Sequence, residues 1–527
     1  MPEAESFRLR GGTPHRALGL GQAALIVSAS VLASRLLGLL RETLLAALLG
    51  VSVEGDLYRY AFLIPDLINY LLAGGFLSIT LIPLLARRVE EGDESGLWAD
   101  FSTVLRLVGG GILALTAAMF VFTTPVARLL FPALDPGDLE AVVRLTRIVL
   151  PAQIFFVVGS LFMAAQYVQR RFLIPALAPV VYNLGIICGG LLGANLGEPG
   201  PDGFIWGALV GAGVGSFGLQ WWGARRAGLR LVRARTPVVS EYLTLALPLM
   251  VGQSIAVLDE QFPRFFGQLV GEGAASSLSL ARMLNMLPVG MIAQAAAVAS
   301  FPFLAALVAG RKDQEVDLVT IRSLRTAVAV ALAVSATFWA ASHPLVRIAY
   351  QWGAFDKSDS ELVAGLLAIF ALAIPAWAIH QVIARWFYAH RRMWTPVVIG
   401  TTVSLVAIPF TFWMADRREA AGVASASTIM MWVYAAAMAT AWWIGDGRHR
   451  RVALLDAIYR GAIPAVLAGL AGRFVSQQLF KDSLAFALLA AAATAVTVVI
   501  VFVGAARLFR FTEGDPRTWR RKEASPS

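Results

Sequence analysis

Residues 34–50 read SRLLGLLRETLLAALLG, a run apolar enough to lie in a membrane that nevertheless carries Arg35, Arg41 and Glu42. Ionisable groups are rare in such a setting, because each is costly there unless it is paired or faces a wet cavity. Here they recur. The next apolar run holds Arg59, Asp66 and Asn69, with Asp56 just ahead of Arg59. Halfway along the chain a second group collects Asp259, Glu260, Arg264 and Arg282, with Gln253 and Asn285 close by. On a helix turning about 100° per residue, Arg35 and Glu42 share one face, and Arg41 lies roughly 120° from Arg35. Gly38 between them permits a bend.

Guanidinium forks match phosphate oxygens, so arginines at several heights on a wet wall suit a large phosphate-bearing anion. The structural alternative is pairing, with Arg35–Glu42 or an Arg41–Asp66 bridge pinning spans together. Glu42, Asp56 and Asp66 are then cavity or gating carboxylates, or simple counter-ions. Asp259 and Glu260 either bind a coupling cation or pair with Arg264.

Other chemistries find little support. There is no GxxxxGK phosphate loop, and His15, His343, His380, His390 and His449 are scattered without an HExxH pattern or a carboxylate cluster. Gly213, Gly215 and Gly218 form a literal GxGxxG, but it lies inside an apolar span and follows no strand. Gly207, Gly211 and Gly215 at four-residue spacing suit close helix packing instead. Cys188 is the single cysteine, which excludes a disulfide within the chain. The sequence therefore predicts no enzyme, no catalytic residues, no metal and no cofactor.

These residues sit in a chain of 527 residues that is 58% hydrophobic and only 15% charged, with a mean hydropathy of +0.69. A soluble domain carries about a quarter charged residues. Apolar stretches long enough to cross about 30 Å of hydrocarbon recur from end to end, without the short alternating strands of a membrane barrel. The start is not a cleavable signal, since residues 1–21 are polar and the following apolar run is long. Fourteen candidate spans are centred near residues 36, 74, 112, 154, 186, 214, 254, 291, 331, 373, 405, 432, 465 and 496. Their connections alternate between basic segments (Arg87-Arg88, Arg170-Arg171, Arg225 to Arg235, Arg391-Arg392) and acidic or neutral ones (VSVEGD, ALDPGDLE, LGEPGPDG); only DRRE at 416–419 departs. By the positive-inside rule both termini are cytoplasmic. The excess of arginine then reads as a topology signal and an attraction to anionic lipid, not as a nucleic-acid surface.

An internal repeat is visible. QYVQRRFLIP at 166–175 matches FYAHRRMWTP at 387–396 with an offset of 221, and two further matches have offsets of 219 and 220. Each copy holds six spans, which predicts an all-α polytopic membrane protein of two six-helix lobes related by a pseudo-twofold parallel repeat, plus two extra C-terminal helices. The expected divisions are a cytoplasmic segment (1–21), the first lobe (22–235), the second lobe (236–447), helices 13 and 14 (448–510) and a cytoplasmic tail (511–527). Two-lobed transporters hold substrate between such halves. Pro65, Pro151, Pro248, Pro288 and Pro375 fall inside spans, where they are expected to kink helices.

ASRLLGLLRETLLAALLG followed by GDLYRYAFLIPDLINYLLAGGFLSITLIPLL resembles the opening of the MurJ/MviN family of lipid II flippases, within the multidrug/oligosaccharidyl-lipid/polysaccharide exporter superfamily. GAASSLSLARMLNMLPVGM and YQWGAFDKSD…FYAHRRMWTP resemble later segments of the family, so that the likeness covers about residues 25–415. It implies a role in the bacterial inner membrane, carrying undecaprenyl-diphosphate-linked peptidoglycan precursor (lipid II) between leaflets by alternating access. It also implies a central cationic cavity and a groove for the lipid tail at the last two helices. Arg35, Arg41, Glu42 and Asp56 match the family pattern. The second-helix arginine is Asn69 here, its neighbour is Tyr70, the glutamate of the family's A-E-G element is Gly74, and an eighth-helix arginine falls at Met283, one place after Arg282. Arg35, Arg41, Arg59, Asn69 and Arg282 are therefore the expected diphosphate-contacting set, in a monomer coupled to a monovalent cation or to the membrane potential. Another polyprenyl-diphosphate glycan is the alternative cargo, and small-molecule export a third reading.

Overall fold

The computed structural model describes residues 20–72, 76–197, 199–233, 236–246, 258–310, 313–444 and 448–509. Among them every regular element is helical. The chain divides into two units, Met1–Val257 and Leu258–Ser527.

The first unit opens with α1 (Leu20–Leu49), which Gly50 ends in the left-handed region at φ 65°. Ser52 then caps α2 (Val53–Ala61), its hydroxyl accepting the Gly55 N–H at 3.3 Å, and Glu54 and Asp56 place carboxylates at the positive end of that helix. After a break at Phe62 come α3 (Leu63–Leu72), α4 (Phe76–Glu90) and the long α5 (Glu94–Leu130). Asp93 caps α5, and the Gly96 N–H and Ser95 hydroxyl it accepts hold its carboxyl below the usual range. The unit continues through α6 (Pro136–Val149), α7 (Ala152–Val168), α8 (Leu173–Leu196), α9 (Pro201–Arg226) and a short α10 over 238–246.

Glycine brings α8 and α9 together. A methyl group at Gly189 would stand 2.6 Å from the Cα of Gly207, and one at Gly185 would stand 2.6 Å from the Cα of Gly211, so only hydrogen fits at this seam. Lipid tails offer no hydrophobic drive for helix association, and such backbone contact is what remains. Gly207, Gly211 and Gly215 carry the packing their spacing predicts, since a methyl group on them would stand 2.4, 2.8 and 2.9 Å from the carbonyl oxygens of Gly185, Tyr182 and Ala178 on α8. Gly213, Gly215 and Gly218 lie in eight π-helical residues of α9, Ala212–Leu219.

The second unit holds α11 (Leu258–Val270), α12 (Ala274–Ala309), α13 (Asp313–Ala340), α14 (Ser342–Tyr350), α15 (Lys357–Ala371), α16 (Ile374–Ala389), α17 (Trp394–Trp443), α18 (Arg448–Leu479) and α19 (Leu484–Leu508). α17 is two helices across a break at Glu419, with φ 50°, and Gly422 folds back against the Met414 carbonyl. DRRE, the exception to the charge alternation, is thus a minimal reversal. Eight helical stretches among the described residues, with α6 and α7 together as one (Pro136–Val168), are long and apolar enough to cross a membrane, and α15 with α16, bent by 41°, can make a ninth.

The repeat is legible in backbone detail. α6 and α15 begin 221 residues apart (136 and 357), as do α8 and α17 (173 and 394). α7 ends with the Arg171 N–H donating to the Gln166 carbonyl and Arg170 to Tyr167; α16 ends with Arg392 donating to Phe387 and Arg391 to Tyr388. Both are Schellman closures, with an arginine at φ 57° or 58° where glycine is usual.

Two of the expected kinks fall at breaks within a span: α15 and α16 bend by 41° just ahead of Pro375, and α6 and α7 together make one membrane-length stretch, Pro136–Val168, interrupted at Pro151. Pro65 lies in the first turn of α3, Pro151 immediately precedes α7, and Pro375 lies in the first turn of α16. The first turn has spare N–H groups, so a residue lacking one fits there without loss. Pro288 lies within α12, and Pro248 falls outside the described residues.

The glycine seam yields a test. Gly189→Leu forces α8 from α9 and is expected to cost about 1–3 kcal/mol or more, read as a lowered Tm in detergent. Gly110→Ala in α5, where a methyl group meets nothing within 4 Å, should leave Tm unchanged or raise it.

Candidate functional site

Glu42 on α1 is the centre of the first unit's charged cluster. Its Oε1 accepts from Arg41 Nη2 at 2.7 Å, and its Oε2 accepts from Arg59 Nη1 at 3.1 Å. Glu42 and Arg59 are buried, each with 6% of the side chain exposed, whereas 21% of the Arg41 side chain remains accessible. One carboxylate thus serves two guanidiniums, and the trio keeps a formal charge of +1 with its accessible face on Arg41.

Three other helices hold this arrangement. Tyr58, next to Arg59, stands edge-on to Phe62 and to Phe204 of α9, with ring centroids 5.0 and 5.9 Å apart. Thr146 of α6 donates its hydroxyl to the Ala61 carbonyl at 3.3 Å. Asn183 of α8 accepts from Arg41 Nη1 at 3.2 Å through Oδ1, while its Nδ2 donates to the Pro179 carbonyl at 2.9 Å and to Ser34 Oγ at 3.5 Å. Arg41 Nε is buried and lacks a hydrogen bond among the described residues.

The sequence-predicted residues divide accordingly. Arg41, Glu42 and Arg59 come together. Arg35 is half-buried and makes neither hydrogen bond nor ion pair with any described residue, so the Arg35–Glu42 pair does not form; nor does an Arg41–Asp66 bridge, because Arg41 turns to Glu42 and Asn183. Asp56 is buried in the first turn of α2, and Asp66 and Asn69 are half-buried in α3. In the second unit, buried Arg282 donates to Ser427 at 3.3 Å. One turn along, the amide of Asn285 is 1% exposed and hydrogen-bonded by no described residue. Arg264 donates to Gln261 at 2.9 Å; the side chains of Asp259 and Glu260 lie outside the described residues. Asn183 was not among the expected site residues. Its only trace in the sequence is a lone amide in the apolar VVYNLGII.

The described residues contain no group of three His, Cys, Asp or Glu side chains able to hold a metal. What the first cluster offers is an arginine with an accessible face, paired with a carboxylate that a second, buried cation also holds.

The fold is that of a polytopic helical transporter. It superposes on an inward-facing multidrug resistance MATE family transporter of the MOP superfamily with a TM-score of 0.67 at 17% identity, covering 82% of this chain and 99% of that one. On a structure of lipid II flippase MurJ in an inward closed conformation the TM-score is 0.75 at 20% identity, over 90% of this chain and 98% of that one. The chain belongs to the lipid II flippase MurJ family, whose model matches residues 45–509. Relatives include a probable lipid II flippase MurJ of Rhizobium meliloti (28% identical, 84% of each chain) and the lipid II flippase MurJ of Burkholderia cenocepacia (27% identical, 74% of this chain and 77% of that one).

The trio predicts a specific stability pattern. Glu42→Ala leaves two cations without their counter-ion and should cost about 3–5 kcal/mol. Adding Arg59→Met should recover more than half of that loss, measured by thermal unfolding in detergent.

Proposed function

We propose that this chain is a flippase that moves lipid II, the undecaprenyl-diphosphate-linked peptidoglycan precursor, from the inner to the outer leaflet of the bacterial cytoplasmic membrane by alternating access. Family membership supports the cargo, and the accessible Arg41 face beside Glu42 is the observation that carries the mechanism. A diphosphate arriving at Arg41 competes with Glu42 for the same guanidinium; the carboxylate keeps Arg59 and takes Arg41 back when the cargo leaves. Arg35, with no partner among the described residues, adds a second cation on α1. Arg282 and Asn69 complete the proposed contact set, with Asp56 and Asp66 as gating carboxylates.

In this reading both termini are cytoplasmic, the protein acts as a monomer with fourteen spans, and no chemical step is catalysed. The membrane potential, or a monovalent cation at Asp259 and Glu260, drives the cycle. The exposed stripe of Val466, Leu470 and Phe474 on α18 supports a tail-holding role for α18 and α19. Asn69 and Met283 stand where the family pattern has arginines, which favours another polyprenyl-diphosphate glycan as the second reading.

Arg41→Ala should abolish growth when it replaces the lipid II flippase of a depleted host, while inserting into the membrane at normal levels. Arg41→Lys, which keeps the charge but loses the fork, should support partial function. Growth at the wild-type rate with Arg41→Ala would remove the diphosphate role from this residue.

A further inference from the structure

A groove whose lining includes none of the Glu42 cluster lies at α5, α6 and α9. It measures about 560 Å³ and is bordered by Phe120 of α5, by Glu140, Arg144 and Arg147 of α6, and by Trp206 and Leu209 of α9. Phe120 and Trp206 are 45% and 52% exposed, and they continue outward into Val121, Phe122, Val210 and Val214, all of them exposed and apolar. The groove therefore opens onto a surface suited to lipid.

Its charges are unevenly satisfied. Arg144 is neutralised by an ion pair with Asp202, in the first turn of α9. Arg147 lies one helical turn further from the start of α6 and has no carboxylate partner among the described residues. Its Nε donates to the Phe120 carbonyl at 3.3 Å, its Nη2 to Thr124 Oγ1 at 3.4 Å, and its guanidinium lies 5.6 Å from the centroid of the Phe120 ring. Glu140 is exposed and pairs with no described residue. Seven positions apart, Glu140 and Arg147 share one face of α6, about 10 Å apart along its axis, with Glu140 nearer the loop. An unneutralised arginine in a lipid-facing apolar groove calls for an anion, and the carboxylate above it calls for a cation.

We propose that this groove binds a phospholipid with a primary-ammonium headgroup, its phosphate on Arg147, its ammonium on Glu140 and an acyl chain along Phe120, Trp206 and Leu209. One cation and one anion at different depths match the zwitterion of phosphatidylethanolamine. Phosphatidylglycerol offers Glu140 neutral hydroxyls but no cation, and the choline of phosphatidylcholine has no N–H to donate to it. The lipid would cover the seam between α5, α6 and α9, a role independent of the cargo reading.

Native mass spectrometry of the detergent-released full chain, titrated with phosphatidylethanolamine, phosphatidylglycerol or phosphatidylcholine, tests this. The wild type should retain phosphatidylethanolamine best. Arg147→Gln should weaken that binding about tenfold, the loss expected for one charge-assisted contact. Arg147→Lys should retain part of it. Glu140→Gln should still bind lipid but no longer distinguish phosphatidylethanolamine from phosphatidylglycerol. An unchanged melting temperature in Arg147→Gln separates lost binding from lost folding; a lowered one passes the decision to Glu140→Gln. Equal retention of the three lipids by the wild type, undiminished binding by a folded Arg147→Gln, or an unchanged preference in Glu140→Gln each overturns the proposal.

Discussion

A single carboxylate shared by two arginines is the constraint on which the rest of the first unit depends. Glu42 accepts from Arg41 and Arg59 at 2.7 and 3.1 Å in a setting where neither guanidinium is tolerable alone. That requirement fixes α2 against α1, since Arg59 has to arrive beside Glu42 across a helix boundary. It also fixes α8, whose Asn183 occupies a further donor of Arg41. The glycine contacts between α8 and α9 and the Tyr58–Phe204 contact then tie α9 to the same assembly. Charge balance within the apolar interior and backbone-close packing around it are two parts of one solution. A bilayer supplies neither water to solvate the ions nor a hydrophobic drive to gather the helices.

The same trio gives the site its chemistry. Were Arg41 fully neutralised and enclosed, an anion would gain nothing by approaching; were it unpaired, the resting protein would carry an unsupported buried charge. Sharing Glu42 lies between these limits. On the proposed reading a phosphate draws Arg41 from Glu42 while the carboxylate stays on Arg59, so Glu42 need not leave the site. That reading makes Arg59 a positioning residue for Glu42 and Arg41 the contact residue.

Much of this was legible in the chain. Arg41, Glu42 and Arg59 announce themselves because ionisable groups in apolar runs demand a reason, and the spacing of Gly207, Gly211 and Gly215 announces close packing. The duplicated Arg-Arg-x-x-x-Pro element also led to a real structural equivalence, since both copies close a helix with a left-handed arginine. The partner of Arg41 was not legible. Asn183 stands 142 residues away, and a lone amide in an apolar helix has no pattern that names its partner. The prolines were legible in part. Spacing places them inside spans, and the three-dimensional path adds that Pro65, Pro151 and Pro375 each stand at the start of the helix that follows a break, where a missing N–H costs nothing.

The central claim is that Glu42 competes with the cargo's diphosphate for Arg41, and the equilibrium affinity of a Glu42→Gln variant for lipid II tests it most directly. Glutamine keeps the shape and an acceptor oxygen but gives up the charge that holds Arg41 back. Tighter lipid II binding together with slower translocation in reconstituted vesicles is the predicted result. Weaker binding by a folded Glu42→Gln protein would contradict the account, because it would place Glu42 among the groups that attract the cargo.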